Sequence, residues 1–344
     1  MRRSTRTWLT AAGCMVAAGL LIFAIGSGMG GFHTVRDWIE NGELSWNFGF
    51  YPWGWRWGTG SSVKFDDRYP VYEGTVSRAR IEGAERIENL IFDVGGCRVE
   101  IRASEDDDYW FASEDAKEYQ CFAENNSLEL RVKGGSWVGN RNAEHVITLW
   151  LPKEATYQRI DLDIGGGELD VETLFGDAVS IDVGAGSIEA DELSGGQLVL
   201  ELGAGEIVLQ SVEADRFAVN IGAGAAAVTT LSARELEVEI GAGQLVIEDS
   251  TLENADISVS MGQIRYQGTV TGDLDADCSM GQISLELNGK KEDHNYEVDC
   301  SMGEINLGGE SYSGMGSSRT IDNGSASSFE LDCSMGNIDV RFKD

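Results

Sequence analysis

The chain is poor in basic residues, in proline and in histidine. Its 344 residues include 26 Lys or Arg against 58 Asp or Glu, so the formal net charge is −32. A chain this acidic repels nucleic acids and anionic lipid surfaces, so neither is an expected partner. The scarcity of proline (3 residues) and the fixed period of the 44 glycines argue against collagen and against a disordered chain.

The sequence also lacks the residue patterns of common catalytic and metal sites. It contains no G-x-S-x-G elbow, no zinc-ligand spacing and no pairing of a nucleophile with a base. Its 3 histidines, His33, His145 and His294, are scattered along the chain. We therefore expect a protein that is not an enzyme. A glycan-active β-helix enzyme that uses carboxylates is the less favoured alternative.

One uncharged run lies at the N-terminus. Residues 7–32 contain no charged side chain and follow three arginines. At about 1.5 Å per residue, such a helix spans a hydrocarbon core of about 30 Å. We expect residues 1–32 to form a basic cytoplasmic flank and one transmembrane helix, so that the C-terminal bulk lies outside the cytoplasm of a single-pass membrane protein. The alternative is a signal peptide that is cleaved among the small residues at 26–31.

A tryptophan-rich segment, residues 33–61, follows the apolar run. It holds Trp38, Trp46, Trp53, Trp55 and Trp57. Tryptophan next to a membrane span usually lies at the level of the lipid headgroups, so we expect a juxtamembrane position. A glycan-stacking patch and a disordered linker are the alternatives.

A glycine-containing motif recurs nine times in the C-terminal part of the chain. It reads "IDVGAGSIEA" at residues 181–190 and contains "CSMG" in later copies. The last glycines of the copies are Gly167, Gly186, Gly205, Gly224, Gly243, Gly262, Gly281, Gly303 and Gly336. Each of the first six spacings is 19, and the last two are 22 and 33. A fixed period near 20 predicts a solenoid, in which these glycines form corners with backbone angles that a Cβ would strain.

The residues between the corners alternate in polarity. Val179, Ile181 and Val183 are apolar, whereas Ser180 and Asp182 between them are polar. Period two predicts strands, and a repeat of this length is too short for a strand, a helix and their turns. We therefore predict an all-β protein, a single-stranded β-solenoid (β-helix) with 19-residue coils, preceded by the one N-terminal transmembrane helix.

The predicted solenoid has regular and irregular parts. Residues 159–344 are expected to form the regular coils, and residues 62–158 an irregular β cap and the first coils. The Gly/Ser-rich segment 308–328 is interpreted as a surface loop extruded from one coil. At the C-terminal end of the stack, charged residues at 341–344 either blunt the ladder edge or leave it as a docking surface.

The cysteines are interpreted from their positions. Cys278, Cys300 and Cys333 occupy the inward column, so we expect buried apolar fillers, with a redox pair or a metal site as the alternative. Cys97 and Cys121 are candidates for a disulfide in an oxidising compartment, but the sequence does not establish that they are close.

An acidic residue recurs at the outward position before most corners. The members are Asp163, Asp182, Glu201, Glu239, Asp277, Asp299 and Asp332. Stacked carboxylates repel one another, and Ca²⁺ binding would relieve that repulsion. Known calcium solenoids use a nine-residue repeat with the acid after the glycines, which differs from this pattern. The simpler interpretation is a solvated acidic face that protects the sheet from aggregation, with no cofactor.

Glycine-rich corners also raise the question of a nucleotide. Among the nine copies of the repeat, only the one with Gly222, Gly224 and Ala227 completes a G-x-G-x-x-G/A pattern, and no helix is predicted after it. One match among nine copies of a repeat is expected by chance, so no nucleotide is an expected ligand.

Several segments together resemble a known family. The segments that carry the resemblance are "ITLWLP" (147–152), "LDIGGGELDV" (162–171), "IDVGAGSIEA" and "LELGAGEIVL" (200–209), and the glycine motif recurs in them at a constant step. They are similar to the "putative adhesin" family of bacterial envelope domains. The resemblance covers about residues 75–342 and implies a β-solenoid at the bacterial surface without known catalytic residues. It favours adhesion or interaction within the cell envelope, with a surface protein or a glycan as ligand. The alternative is an envelope-stress regulatory or structural scaffold that acts through a membrane partner.

Overall fold

The computed structural model describes residues 46–51, 54–59, 63–133, 145–313 and 317–343. In these residues the only helix is a single 3₁₀ turn at Lys291–Asp293. No helix of the described part is long and apolar enough to cross a membrane. The predicted span at 7–32 lies outside the described residues, as does most of the tryptophan-rich segment. For the part of the chain that the structure describes, the predicted all-β class is confirmed.

The strands are numbered in chain order. β1 (Trp46–Tyr51) and β2 (Gly54–Thr59) form a two-stranded sheet. The strands that follow are β3 (Tyr72–Arg80), β4 (Asn89–Val94), β5 (Cys97–Ser104), β6 (Trp110–Glu124), β7 (Ser127–Val132), β8 (Val146–Pro152), β9 (Thr156–Ile240), β10 (Gln244–Val259), β11 (Gln263–Val270), β12 (Leu274–Cys278), β13 (Gln282–Asn288), β14 (Asn295–Cys300), β15 (Glu304–Leu307), β16 (Glu310–Ser313), β17 (Ser317–Ile321), β18 (Ser328–Cys333) and β19 (Asn337–Lys343).

The chain winds into coils whose length equals the repeat of the sequence. Leu245 pairs in parallel with Ala226 on one side and with Ile264 on the other, so its partners lie one repeat before and one repeat after it. β9 extends over 85 residues because the chain remains extended and paired around successive corners. The repeat in the sequence is therefore the coil of a β-solenoid.

Apolar side chains at alternate positions point inward and form columns along the stack. One column holds Ile164, Val183, Leu202, Ile221, Ile240, Val259, Cys278, Cys333 and Cys300, all of them buried. Because neighbouring coils are about 4.8 Å apart, each member packs against the members above and below it. The inward position predicted for the three cysteines is confirmed.

The coils at the C-terminal end do not stack in the order of the sequence. β18 pairs with β12 on one side and with β14 on the other, and β19 lies in the same way between β13 and β15. The last coil of the chain is thus inserted between two earlier coils. Cys333 consequently lies between Cys278 and Cys300. The expectation that the C-terminal strand is the ladder edge was wrong.

The segment 308–328 also differs from the predicted surface loop. It contains β16 and β17, which run antiparallel to β15 and β14 and cover the outer side of that coil. The physical reason is that an exposed ladder leaves main-chain N–H and C=O groups without partners, and two antiparallel strands supply those partners. The Gly/Ser-rich composition concealed strands that are short and only partly buried.

The N-terminal end is built in the same manner. The coil β4–β5 lies between the coil β7–β8 and the first coil of β9. β6 runs antiparallel to β7 and β8, and β3 pairs antiparallel with β6 through a register that shifts three times. Each end therefore combines one inserted coil with an antiparallel cap.

The corner glycines are required mainly by the close approach of neighbouring coils. A Cβ on Gly186 would lie 2.2 Å from the carbonyl oxygen of Gly167, and a Cβ on Gly224 would lie 2.6 Å from that of Gly205. Of the nine last glycines, Gly167 and Gly205 have a positive φ, +143° and +147°. The expectation that backbone angles explain these glycines therefore holds at only two of the nine corners. Along the stack, the neighbouring coil leaves no room for a Cβ at these positions.

Candidate functional site

The predicted acidic positions lie in one outward column of the solenoid. Asp163 and Asp182 occupy successive coils with Glu201 next to them. Farther along, the column contains Glu239, Asp277, Asp332 and Asp299 in that spatial order, with Ser258 between the first two. The structure thus brings the seven carboxylates into one line, but the insertion of β18 exchanges the order of Asp299 and Asp332.

One member of the column, Asp93, was not predicted from the sequence. Asp93 of β4 pairs with Asp163 on one side and with Arg131 of β7 on the other. It lies in "LIFDVGG", a degenerate copy of the corner motif. This motif could have placed Asp93 at the outward position before a corner. The position of β4–β5 next to β9, however, has no counterpart in the sequence pattern.

The first part of the column, Asp93, Asp163, Asp182 and Glu201, is here called the acidic ladder. Burial raises the pKa of Asp182 to about 7, with further contributions from Asp163 and Glu201. Burial likewise raises the pKa of Asp93 to about 6, and Asp163 adds to the rise while Arg131 opposes it. Asp93 and Asp182 thus take up protons near neutral pH, because their ionised forms are poorly hydrated and are repelled by Asp163 between them.

A second concentration of carboxylates covers five neighbouring coils. Two outward columns, two residues apart on each strand, lie side by side there. Their members, here called the acidic face, are Glu237, Glu239, Asp256, Asp275, Asp277, Glu330, Asp332, Glu297 and Asp299. Arg216 pairs with Glu237 at one border of this face.

Mutual repulsion is evident across the acidic face. Burial is the largest cause of the raised pKa of Asp332, and the charges of Asp299 and Glu330 raise it further. Burial is also the largest cause of the raised pKa of Asp277, to which the charge of Asp332 adds. The pKa of Glu330 is raised first by the charge of Asp275 and only then by burial. The face therefore carries more negative charge than its own side chains neutralise.

The arrangement resembles a charged surface more than a metal cage. In the described part of the chain, no group of three or more His, Cys, Asp or Glu side chains is placed to hold a metal ion. Calcium requires six to eight oxygens that converge on one point. Side chains on parallel strands instead project side by side at intervals of about 4.8 Å.

Cysteine side chains are a second feature of the interior, and three of them, Cys278, Cys333 and Cys300, share one column. Cys97, Cys121, Cys278, Cys300 and Cys333 are free and buried. Burial raises the pKa of Cys97 and of Cys121 to about 12. These two thiols are therefore neutral and poorly reactive, as expected of structural rather than catalytic cysteines.

The comparisons with known proteins concern most of the chain. A family described as Toastrack DUF4097 matches residues 87–341. No curated protein matches. A Bacteroides fragilis structure named "putative adhesin" is 13% identical and has a TM-score of 0.38; the match covers 80% of this chain and 97% of that one. Two Parabacteroides distasonis structures, a "putative lipid binding protein" and a "putative adhesin", are 12% and 11% identical, each with a TM-score of 0.42 and coverage of 79% and 97%.

Proposed function

This chain belongs to the Toastrack DUF4097 family, and we propose that it is a non-enzymatic interaction module of the bacterial cell envelope. In this proposal, residues 7–32 anchor the chain in the cytoplasmic membrane and the solenoid lies outside the cytoplasm. The solenoid contacts another surface through the acidic face. Since one fold supports many functions, the proposal depends on the chemistry of the surface and not on the fold alone.

The observation that carries the proposal is the density of charge on the acidic face. Nine carboxylates project from five neighbouring coils at regular intervals. A surface of this kind attracts positively charged partners over several ångströms and repels polyanions. The partner class that it fits best is a protein surface rich in Lys and Arg.

Both ends of the solenoid are covered by antiparallel strands. Addition of a further strand at an end is then unfavourable, which leaves the sides of the stack for contact. The proposal therefore places the contact on a side and replaces the sequence-based expectation of a bare C-terminal edge.

The test uses cells that display the full-length protein and a fluorescent oligolysine peptide as the probe. A face variant combines Asp275→Asn, Asp277→Asn, Glu330→Gln and Asp332→Asn. A control variant removes the same number of charges from exposed positions elsewhere, by Glu189→Gln, Asp191→Asn, Glu206→Gln and Glu213→Gln. We expect probe binding to fall in the face variant only and to weaken with added salt.

Two outcomes would contradict the proposal. Equal loss in both variants would show that net charge, and not the acidic face, attracts the probe. Unchanged binding in the face variant would show that the face is not a contact surface. Extraction of the full-length protein from membranes by alkaline carbonate would separately contradict the proposed anchor.

A further inference from the structure

Four methionines lie on one corner of the solenoid in consecutive coils. The ladder of main-chain hydrogen bonds sets their spatial order: the Met280 N–H donates to the Ser260 carbonyl, that of Met335 to Ser279, and that of Met302 to Ser334. The set is Met261, Met280, Met335 and Met302, here called the methionine ladder. Met335 and Met302 are neighbours only because the last coil of the chain is inserted between two earlier ones.

The methionine ladder is exposed, which is unusual for apolar side chains. Its members are 40%, 51%, 54% and 66% exposed in spatial order. Within the described residues, the other large exposed apolar side chains are Val71 and Ile91. The preceding coils carry alanine at the same corner, for example Ala223 and Ala242. The corner thus changes from a small side chain to a long thioether for four successive coils.

Thioether chemistry distinguishes this corner from an ordinary apolar ridge. A methionine sulfur is soft, polarisable and uncharged, and thioethers prefer soft ions such as Cu⁺. Neighbouring coils are about 4.8 Å apart, and the methionine side chain has three rotatable bonds. Two or three sulfurs from adjacent coils can therefore converge on one ion.

The surroundings of the ladder favour a cation. Asp277, Asp332 and Asp299 each lie three residues before a methionine of the ladder, in the adjoining outward column. Their negative field raises the local concentration of cations at the corner. The thiols of the same coils do not compete from outside, because Cys278, Cys333 and Cys300 are each only 2% exposed. The Cys278 sulfur instead fills the space above Gly336, where a Cβ would lie 2.4 Å from it.

From this geometry we propose that the methionine ladder is a binding site for a soft monovalent metal ion, Cu⁺ or Ag⁺. The ion is held by thioethers of neighbouring coils, with the central pair Met280 and Met335 as the main ligands. No covalent or redox step is involved. This inference does not rest on the partner proposed for the acidic face.

The test titrates Ag⁺, a redox-inert probe, into the purified full-length protein in nitrate buffer, because chloride precipitates silver. Binding is followed by calorimetry and by the methyl resonances of ¹³C-methyl-labelled methionine, of which the chain has 8. We expect the resonances of the ladder to shift. The M280L/M335L variant, which keeps volume and apolarity, should lose at least about tenfold in affinity, the scale seen when groups of a metal site are removed.

A second variant separates thioethers from thiols. C278A/C300A/C333A retains the ladder and should bind Ag⁺ as the parent protein does, with its fold checked by thermal melting. Loss of binding in this variant, together with retention in M280L/M335L, would assign the ion to the buried thiols and overturn the proposal. Failure of the parent protein to bind Ag⁺ would also overturn it, and would leave the ladder as an apolar contact surface that Leu serves equally well.

Discussion

Replacement of Asp182 by Asn tests the electrostatics of the acidic ladder most directly. Asp182 lies between Asp163 and Glu201 in successive coils, and its pKa is raised from 3.8 to about 7 by burial and by these neighbours. The folded state therefore binds the proton more tightly than the unfolded chain does. Stability contributed by this proton is present at low pH and is lost as pH rises from about 4 to about 7. Asn has the same shape as Asp and carries no charge, so the variant escapes this loss.

The size of the effect follows from the shift. A change from 3.8 to about 7 is about 3 pKa units, or about 4 kcal/mol at about 1.4 kcal/mol per unit. Asp182 retains contact with water, so solvent screening reduces this upper bound to about 1–2 kcal/mol. Asp182→Asn should therefore raise the free energy of unfolding by about 1–2 kcal/mol at pH 8, and by less than half of that at about pH 4, close to the unperturbed pKa of the carboxyl group.

The measurement is urea denaturation of the purified protein and the variant at about pH 4 and at about pH 8. Asp191→Asn is the matched control, because it removes the same charge from an exposed position outside the ladder. It should change stability little at either pH. The reasoning would be refuted if Asp182→Asn destabilised the protein at pH 8, or if its effect were equal at the two pH values.

Three further predictions concern the packing of the stack. Gly186→Ala should destabilise the protein by more than about 2 kcal/mol in thermal melts, because its Cβ would lie 2.2 Å from a carbonyl oxygen. Gly165→Ala, whose Cβ would have its closest contact at 3.5 Å, should be nearly neutral. Similar melting of the two variants would contradict steric exclusion. Deletion of residues 328–344 should accelerate amide exchange in both β13 and β15, which the inserted coil joins; unchanged protection in β15 would show that the insertion is not needed. The five buried cysteines should resist alkylation in the native protein and react in urea; modification of Cys97 or Cys121 without unfolding would contradict their burial.

The sequence was sufficient for the coil and its faces because these depend on local alternation. Val179, Ile181 and Val183 point inward in the structure, and Asp182 points outward, as period two predicted. The acidic column followed from the same register, since an in-phase repeat places equivalent residues above one another. The missed member, Asp93, lies in a copy of the motif too degenerate to fix its neighbour in the stack.

The order of the terminal coils was not predictable for a physical reason. The segments that contain Cys278, Cys300 and Cys333 share the motif "CSMG", so each presents nearly the same edge to a neighbour. Local pairing energies therefore do not decide which of them lies between the other two. What distinguishes them is the segment between β15 and β18, which forms the antiparallel cap over β14 and β15 and then returns the chain to the gap. A prediction from the repeat period alone assumes that coils stack in chain order, so it does not include a chain that returns to lie between two earlier coils.

The same insertion at both ends has a consequence for the assembly of the fold. A solenoid that stacked in sequence order would expose a terminal ladder able to add further strands from other molecules. Here the outermost strands are short, as in β16 and β17, or irregularly paired, as in β3. Each cap is joined through the chain to the inserted coil, which lies one position deeper in the stack. Because the inserted coil is paired on both of its own edges, it opposes fraying of the cap. The ends are in this way closed to the addition of further strands. The two proposed contact surfaces, the acidic face and the methionine ladder, therefore both run along the sides of the solenoid.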